Sequence, residues 1–230
     1  MGVEPDSATE RTRVSATPRQ HSIGGPSTRF TRAFGAVALA ATMLGVGAGS
    51  TFAFGTSVAC AARTEAPVFA KWADTASYFT APNGSFESGT TNWLLTGGAT
   101  VVGGNEPFYV GGSGQSKSLR IPAGATAESR TFCVSRGEDT IRLFANNAHV
   151  SGAILHVEAI VKSSTGQIAQ TAFDVNGDAA PAGWGPTLRL GIPNLLGGAG
   201  IQDLTLTFST RGTAATWIID DVYVDPYKSY

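Results

Sequence analysis

Residues 153–162 read Ala-Ile-Leu-His-Val-Glu-Ala-Ile-Val-Lys, with Leu155, Val157, Ala159 and Val161 on one face and His156, Glu158 and Lys162 on the other. An apolar residue at every second position is a half-buried strand, because successive side chains of an extended chain point to opposite faces. The pattern recurs. Residues 203–209 place Leu204, Leu206 and Phe208 inside with Thr205 and Thr207 outside, and residues 187–192 set Leu188, Leu190 and Ile192 against Arg189. Residues 118–122 alternate up to Pro122, and shorter runs lie at 93–95, 99–102, 107–110, 126–134 and 140–145. Residues 167–175 pair naturally with 153–162 across Ser163-Ser164-Thr165-Gly166. Short strands about ten residues apart, divided by Gly- and Pro-bearing turns, predict an all-β antiparallel sandwich or barrel. No stretch sustains a 3.6-residue period.

Composition agrees with strands and turns. Only 14% of the 230 residues are charged and 29 are Gly, whereas a surface helix needs charged residues along its wet face. Without the Arg-bearing segment before Ala33, 11 basic residues stand against 14 acidic ones, a net of about −3. Such a body has no electrostatic footprint for nucleic acid.

The N-terminal 53 residues read as an address. Polar residues 1–33 carry five Arg, residues 34–46 are an uncharged apolar run, and Thr51-Phe52-Ala53 offers a small-x-small exit. That order is a secretory signal peptide, so the mature chain is expected to be extracellular and free of the membrane. Two alternatives stay open. The apolar run is at the short end for an anchor spanning ~30 Å of hydrocarbon, and Ser57-Val58-Ala59-Cys60 is a loose lipidation site in which Ser57 replaces a large aliphatic residue. Cys60 and Cys133 are the only cysteines; in an exported chain an even pair predicts a disulfide. It would tether a lead-in, residues 54–82, to the body, residues 83–230. Two cysteines without close spacing do not make a zinc site.

Two distant stretches are expected to meet and close the sandwich. The first, Asn83-Gly84-Ser85-Phe86-Glu87-Ser88-Gly89, reads as a turn, a very short strand carrying Glu87, and a loop that delivers Trp93. The second, Trp217-Ile218-Ile219-Asp220-Asp221-Val222-Tyr223-Val224-Asp225-Pro226, is a terminal strand with two adjacent carboxylates. Together they resemble the ends of the galactose-binding-like jelly roll, and more narrowly of the xylan- and glucan-type carbohydrate-binding modules. The mature chain, with Trp72, Asp74 and Tyr78-Phe79 ahead of the first stretch, also resembles a group of exported actinobacterial proteins that carries no functional assignment. The carbohydrate-module resemblance implies a jelly-roll β-sandwich and a structural calcium held by Glu87 and an aspartate of the closing strand. Strand alternation would put Asp220 and Asp221 on opposite sides, leaving one as ligand, with Asp221 preferred. It also assigns Trp93 to the core, and we place Trp217 there too.

A carbohydrate site needs flat apolar faces beside directional polar groups. Trp184, in Pro181-Ala182-Gly183-Trp184-Gly185-Pro186, is the best loop aromatic, with Phe108, Tyr109 and Trp72 as secondary candidates. The partner would be a polysaccharide, a cell-wall or plant glycan. The alternative is a structural or protein-interaction domain of the cell envelope without a sugar site. A sheet face bearing Trp or Tyr favours the first; a face of Thr, Ala and Val favours the second. No nucleophile elbow, zinc-protease helix or phosphate loop is present. His149 and His156 are the mature histidines, and no nucleophile pairs with either by spacing. A non-catalytic module is expected.

Overall fold

The computed structural model describes residues 60–135, 137–148, 150–180, 183–195, 200–212 and 215–225. The signal-peptide segment, His149 and Pro226 lie outside the described residues, which all fall within one compact unit. After a 3₁₀ turn at Ala70–Trp72 come thirteen strands: β1 (Phe79–Thr80), β2 (Trp93–Thr96), β3 (Thr100–Gly103), β4 (Lys117–Pro122), β5 (Thr126–Ser129), β6 (Phe132–Ser135), β7 (Thr140–Asn146), β8 (Ile154–Ser163), β9 (Ile168–Asn176), β10 (Gly185–Pro186), β11 (Leu190–Gly191), β12 (Ile201–Arg211) and β13 (Thr216–Asp225). They form two antiparallel sheets. The first runs β10-β7-β13-β4-β3, with β1 on β13 and β11 on β7; the second runs β2-β5-β12-β8-β9, with β6 on β12. This is the jelly-roll β-sandwich the sequence predicts.

Period two decides what is buried between the sheets. Leu155, Val157, Ala159 and Val161 of β8 meet Leu204, Leu206 and Phe208 of β12, with Leu119 and Ile121 of β4 and Trp217, Ile219, Val222 and Val224 of β13 opposite. Trp93 closes one end, 5.2 Å from Phe86 and 5.8 Å from Phe208 between ring centroids. A second, smaller core lies on the outer face of the first sheet, where Phe69 and Tyr78 of the lead-in cover Phe144 and Tyr223. The lead-in is therefore part of the sandwich: Phe79 pairs with Val224 and Thr80 with Tyr223. The expected disulfide joins Cys60 to Cys133 at the start of β6, with Cα atoms 5.8 Å apart. Cys60 N also donates to Ser135 Oγ, and Arg63 pairs with Glu138 at 3.1 Å.

Five local expectations are corrected. Residues 82–92 contain turns and no strand, because Asn83 and Phe86 take positive φ. The run 107–110 curls instead of extending, since the Glu106 carboxylate draws in the N–H groups of Phe108 and Val110. Residues 126–134 form two strands. Arg130 N turns away to donate to Asn92 O, and Ser129 Oγ takes the N–H of Leu206. Leu188 points outward, 84% exposed, because Thr187 is drawn inward to bond Leu143 N and Leu143 O. Finally, β13 slips by one residue against β7 between Asp220 and Tyr223, and Asp221 takes φ +49°. This β-bulge resets the alternation, so Asp220 and Asp221 are both fully buried instead of facing opposite ways.

Candidate functional site

The two distant stretches do meet. Ala81 N donates to Val222 O at 2.9 Å, and Val222 N donates to Gly84 O at 3.0 Å. A Cβ at Gly84 would stand 2.6 Å from Val222 O, so only glycine allows this approach. The Asn83 amide holds the loop together: Nδ2 donates to Gly89 O and Thr91 O, and Oδ1 accepts from Ser88 N. Trp93 Nε1 donates to Pro82 O and Asn83 O. Glu87 Oε1 accepts from Ser116 N and Lys117 N, each at 2.7 Å. The opening stretch is thus a clasp between β1, β4 and β13.

Behind the clasp lies an acidic pocket at the bulge. There β13 exchanges β4, its neighbour up to Ile219, for β1, its neighbour from Tyr223. Glu106, Asp220 and Asp221 are all completely buried. Asp220 Oδ2 accepts from Glu106 N at 3.1 Å and Oδ1 from Asp221 N at 2.8 Å. Asp221 Oδ1 accepts from Gln115 Nε2 at 3.3 Å and the Gly111 N–H also acts on this carboxyl, while among the described residues Asp221 Oδ2, Gln115 Oε1 and Asn105 Oδ1 make no other hydrogen bond. Burial, then the charge of Asp221, pushes the Asp220 carboxyl up to about 8. Burial, then the charge of Glu106, pushes Asp221 up to about 7. Among the described residues no Lys or Arg pairs with these three carboxylates, and no three ligating side chains stand in a formed metal site. Of the sequence-predicted calcium set, Asp220 and Asp221 sit together; Glu87 is close enough for its charge to act on Asp221, but its oxygens face the start of β4. Sequence reasoning misses Glu106 and Gln115, because an isolated Glu before Pro107 carries no pattern.

Three of the four predicted ligand aromatics converge on the outer face of the first sheet. Trp72, Phe108 and Trp184, each half-buried, pack against the cluster of Phe69, Tyr78, Phe144 and Tyr223. The ring centroids of Trp72 and Phe108 are 4.9 Å apart, edge to face, and each lies within 6 Å of Phe144. Lys71 Nζ stands 4.7 Å from the Phe108 ring and 5.6 Å from Trp72. Tyr109, the fourth candidate, is 51% exposed on the same loop with φ +52°. Beneath the patch, Asp74 accepts from Tyr78 Oη and Arg142 Nη1, both at 2.6 Å, and is also bound by Arg189. Arg189 keeps 42% of its side chain exposed. Burial opposes the charge on Asp74, but Arg189, Tyr78, the Ala76 N–H and Arg142 together hold its carboxyl well below the usual carboxylate range.

The outer face of the second sheet is different. Its cross-strand rows run Leu94, Glu128, Thr207, Glu158, Ala172 and Thr96, Thr126, Ser209, His156, Asp174. The second row sets Ser209 and Asp174 on either side of His156, whose Nδ1 lies 2.6 Å from Asp174 Oδ1. Spacing along the chain could not reveal this juxtaposition. No hydrogen bond joins Ser209 to His156 among the described residues. Ser209 and His156 lie on β12 and β8, which are paired on both sides, whereas Asp174 lies on the edge strand β9.

No protein-family model and no curated protein matches the chain. Among solved structures it is similar to a carbohydrate-binding module in complex with β-1,4-galactotriose, at 16% identity and a TM-score of 0.40 over 63% of this chain and 96% of that one. It is also similar to a xylan-binding domain from Paenibacillus barcinonensis, at 20% identity and a TM-score of 0.38 over 64% of this chain and 93% of that one. A third is an arabinose-bound α-L-arabinofuranosidase, at 13% identity and a TM-score of 0.42 over 64% of this chain and 26% of that one. At these scores the likeness carries nothing about ligand or activity.

Proposed function

We propose that this chain is an exported, non-catalytic β-sandwich module that binds carbohydrate, a cell-wall or plant glycan, on the Trp72, Phe108 and Trp184 patch. One observation carries the reading. Three aromatic rings from segments far apart in sequence pack half-exposed against one cluster, with Lys71 close to two of them and Arg189 bound to Asp74, two residues from Trp72. Aromatic faces suit the C–H faces of a pyranose, and the flanking cations suit its hydroxyl oxygens. Export is consistent with the Cys60–Cys133 disulfide; among the described residues no helix is long and apolar enough to cross a membrane. The Thr-, Ser- and Glu-bearing face of the second sheet favours the other reading, an envelope protein-interaction domain. Retention on insoluble polysaccharides and on a glycan array separates them. Binding that disappears in Trp184→Ala and Trp72→Ala is expected, and no retention on any glycan would leave the interaction domain.

We also propose a structural calcium at the acidic bulge. Buried carboxylate and amide oxygens without partners are the hard ligands that Ca²⁺ prefers. Asp221 with Gln115 and Asp220 would hold it, with Glu106 and Glu87 at its margin; when bound, the ion would neutralise charge that is otherwise buried without a cation.

A further inference from the structure

The sheets end on β10 and β11 with two residues each, on β2 and β3 with four each, and on β9 with nine. An edge strand offers unpaired N–H and C=O groups to any other extended chain, and proteins usually blunt it by shortness, Pro, Lys or a bulge. β9 has none of these devices. It reads Ile-Ala-Gln-Thr-Ala-Phe-Asp-Val-Asn and pairs with β8 in unbroken register. Among the described residues no strand pairs with its other side. Its even-numbered residues are all exposed and its odd-numbered ones only half-buried. The one charged side chain, Asp174, is turned back onto His156 of β8.

The ladder shows which backbone groups are left over. Ser163 N donates to Gln167 O and Gly177 N to Ala153 O, each at 2.8 Å, so the odd-numbered residues of β9 bond to β8. In an antiparallel ladder the intervening residues turn their groups the other way. Ile168, Gln170, Ala172, Asp174 and Asn176 therefore direct N–H and C=O towards the open edge.

We infer that β9 is a self-association edge, on which two copies of this chain pair antiparallel about a two-fold axis at Ala172. A second copy is the occupant because the strand complements itself. The register centred on Ala172 overlaps the whole strand and sets even-numbered residues only against even-numbered ones, so every outward backbone group is used. It also sets Asp174 of each copy opposite Gln170 of the other, an acceptor against an amide donor. A register centred on Asp174 would oppose two like charges, which destabilises a strand pair. Beside residues 174–176 lies a mainly apolar cavity of about 420 Å³ whose lining includes Asn176 and Leu188. The register sets the second copy's Ile168 opposite Asn176, so two of the most exposed aliphatic side chains, Ile168 at 66% and Leu188 at 84%, are brought to the same cavity. A two-fold pairing consumes both edges, and assembly stops at two. The edge belongs to the second sheet and is independent of the aromatic patch on the first.

The test follows the full chain over a range of concentrations by sedimentation velocity and by residue-resolved amide hydrogen exchange. The expected result is a concentration-dependent dimer in which the amides of Gln170, Ala172 and Asp174 gain protection as it forms, while those of Thr171, Phe173 and Val175 are protected throughout. Ala172→Pro removes an outward N–H that β8 does not use, so it should abolish the dimer and leave the odd-numbered amides protected. Gln170→Glu places like charges at both symmetry-related contacts and should weaken the dimer by about 2- to 30-fold, whereas Gln170→Lys should tighten it. A dimer in which the even-numbered amides exchange freely, or two Gln170 variants that move the equilibrium in the same direction, would overturn the inference. So would a chain that stays monomeric at millimolar concentration, which would leave the edge to an extended segment of a different protein.

Discussion

Asp74 decides how the outer face of the first sheet is organised. Its carboxylate meets Arg142, 68 residues away, and Arg189, 115 residues away, and it orients Tyr78. In Asp74→Ala the buried Arg142 loses its carboxylate partner and keeps the bond from Nε to Thr187 O at 2.9 Å and the face of Phe69. Breaking one side of a buried pair costs about 3–5 kcal/mol, so urea denaturation should show a loss of that size. A loss below about 1 kcal/mol would mean that the pair is solvated in solution. The sequence marks Asp74 and Tyr78 within one motif of the lead-in, but not the network, because the arginines that Asp74 meets lie far along the chain. The aromatic candidates were more legible. Trp184, Phe108 and Trp72 stand out as large rings in loops, although only the fold shows that they share one face.

At the scale of the element, β13 carries most of the consequence. Its alternation correctly places Trp217 and Ile219 inside, but the extra residue at Asp221 moves everything after it to the opposite phase. A bulge leaves no mark on periodicity until the partner strand is known, which is why both aspartates were not expected to be buried. The strands themselves were readable because sandwich burial forces period two, as β8 and β12 illustrate; β10 and β11, two residues each, were not separable. The bulge also sets a pH dependence. Both carboxyls are raised above an ordinary aspartate, to about 8 and about 7, so between roughly pH 4 and those values the folded chain keeps protons that the unfolded chain releases. Their contribution is fully present below about pH 4 and is lost as pH rises through 7 and 8. Asp74 has the opposite sign, but its contribution is already complete above about pH 5. With chelator present, the melting temperature should therefore fall between pH 5.5 and 8.5, and the Asp220→Asn, Asp221→Asn double variant should flatten that slope. Added calcium should raise it more at pH 8.5 than at pH 5.5, because the ligands must be deprotonated. An identical melting temperature with and without calcium at pH 8.5 would remove the metal proposal. The clasp gives a further outcome: Gly84→Ala drives a Cβ against Val222 O and should lower stability without altering the aromatic patch.

For the molecule as a whole, the lead-in connects fold and function. It pairs β1 with β13, covers the outer face of the first sheet, and supplies Trp72 and Lys71 to the patch. The Cys60–Cys133 disulfide fixes its start across a 73-residue separation. A loop of that length is worth roughly 4 kcal/mol, which for a domain of this size corresponds to about 2–4 °C of melting temperature per kcal/mol. Replacing both cysteines by serine should produce a drop of that order and weaken glycan retention as well, because half of the patch would be less firmly held. The central claim is that Trp72, Phe108 and Trp184 form a carbohydrate platform on a stable sandwich. Its most direct test is affinity electrophoresis through gels containing soluble xylan, galactan or β-glucan, comparing the native chain with Trp72→Ala and Trp184→Ala after circular dichroism has verified their folding. The account predicts retarded migration in at least one polysaccharide, abolished in both folded variants; unretarded migration of the native chain in all three, or equal retardation of the variants, would contradict it.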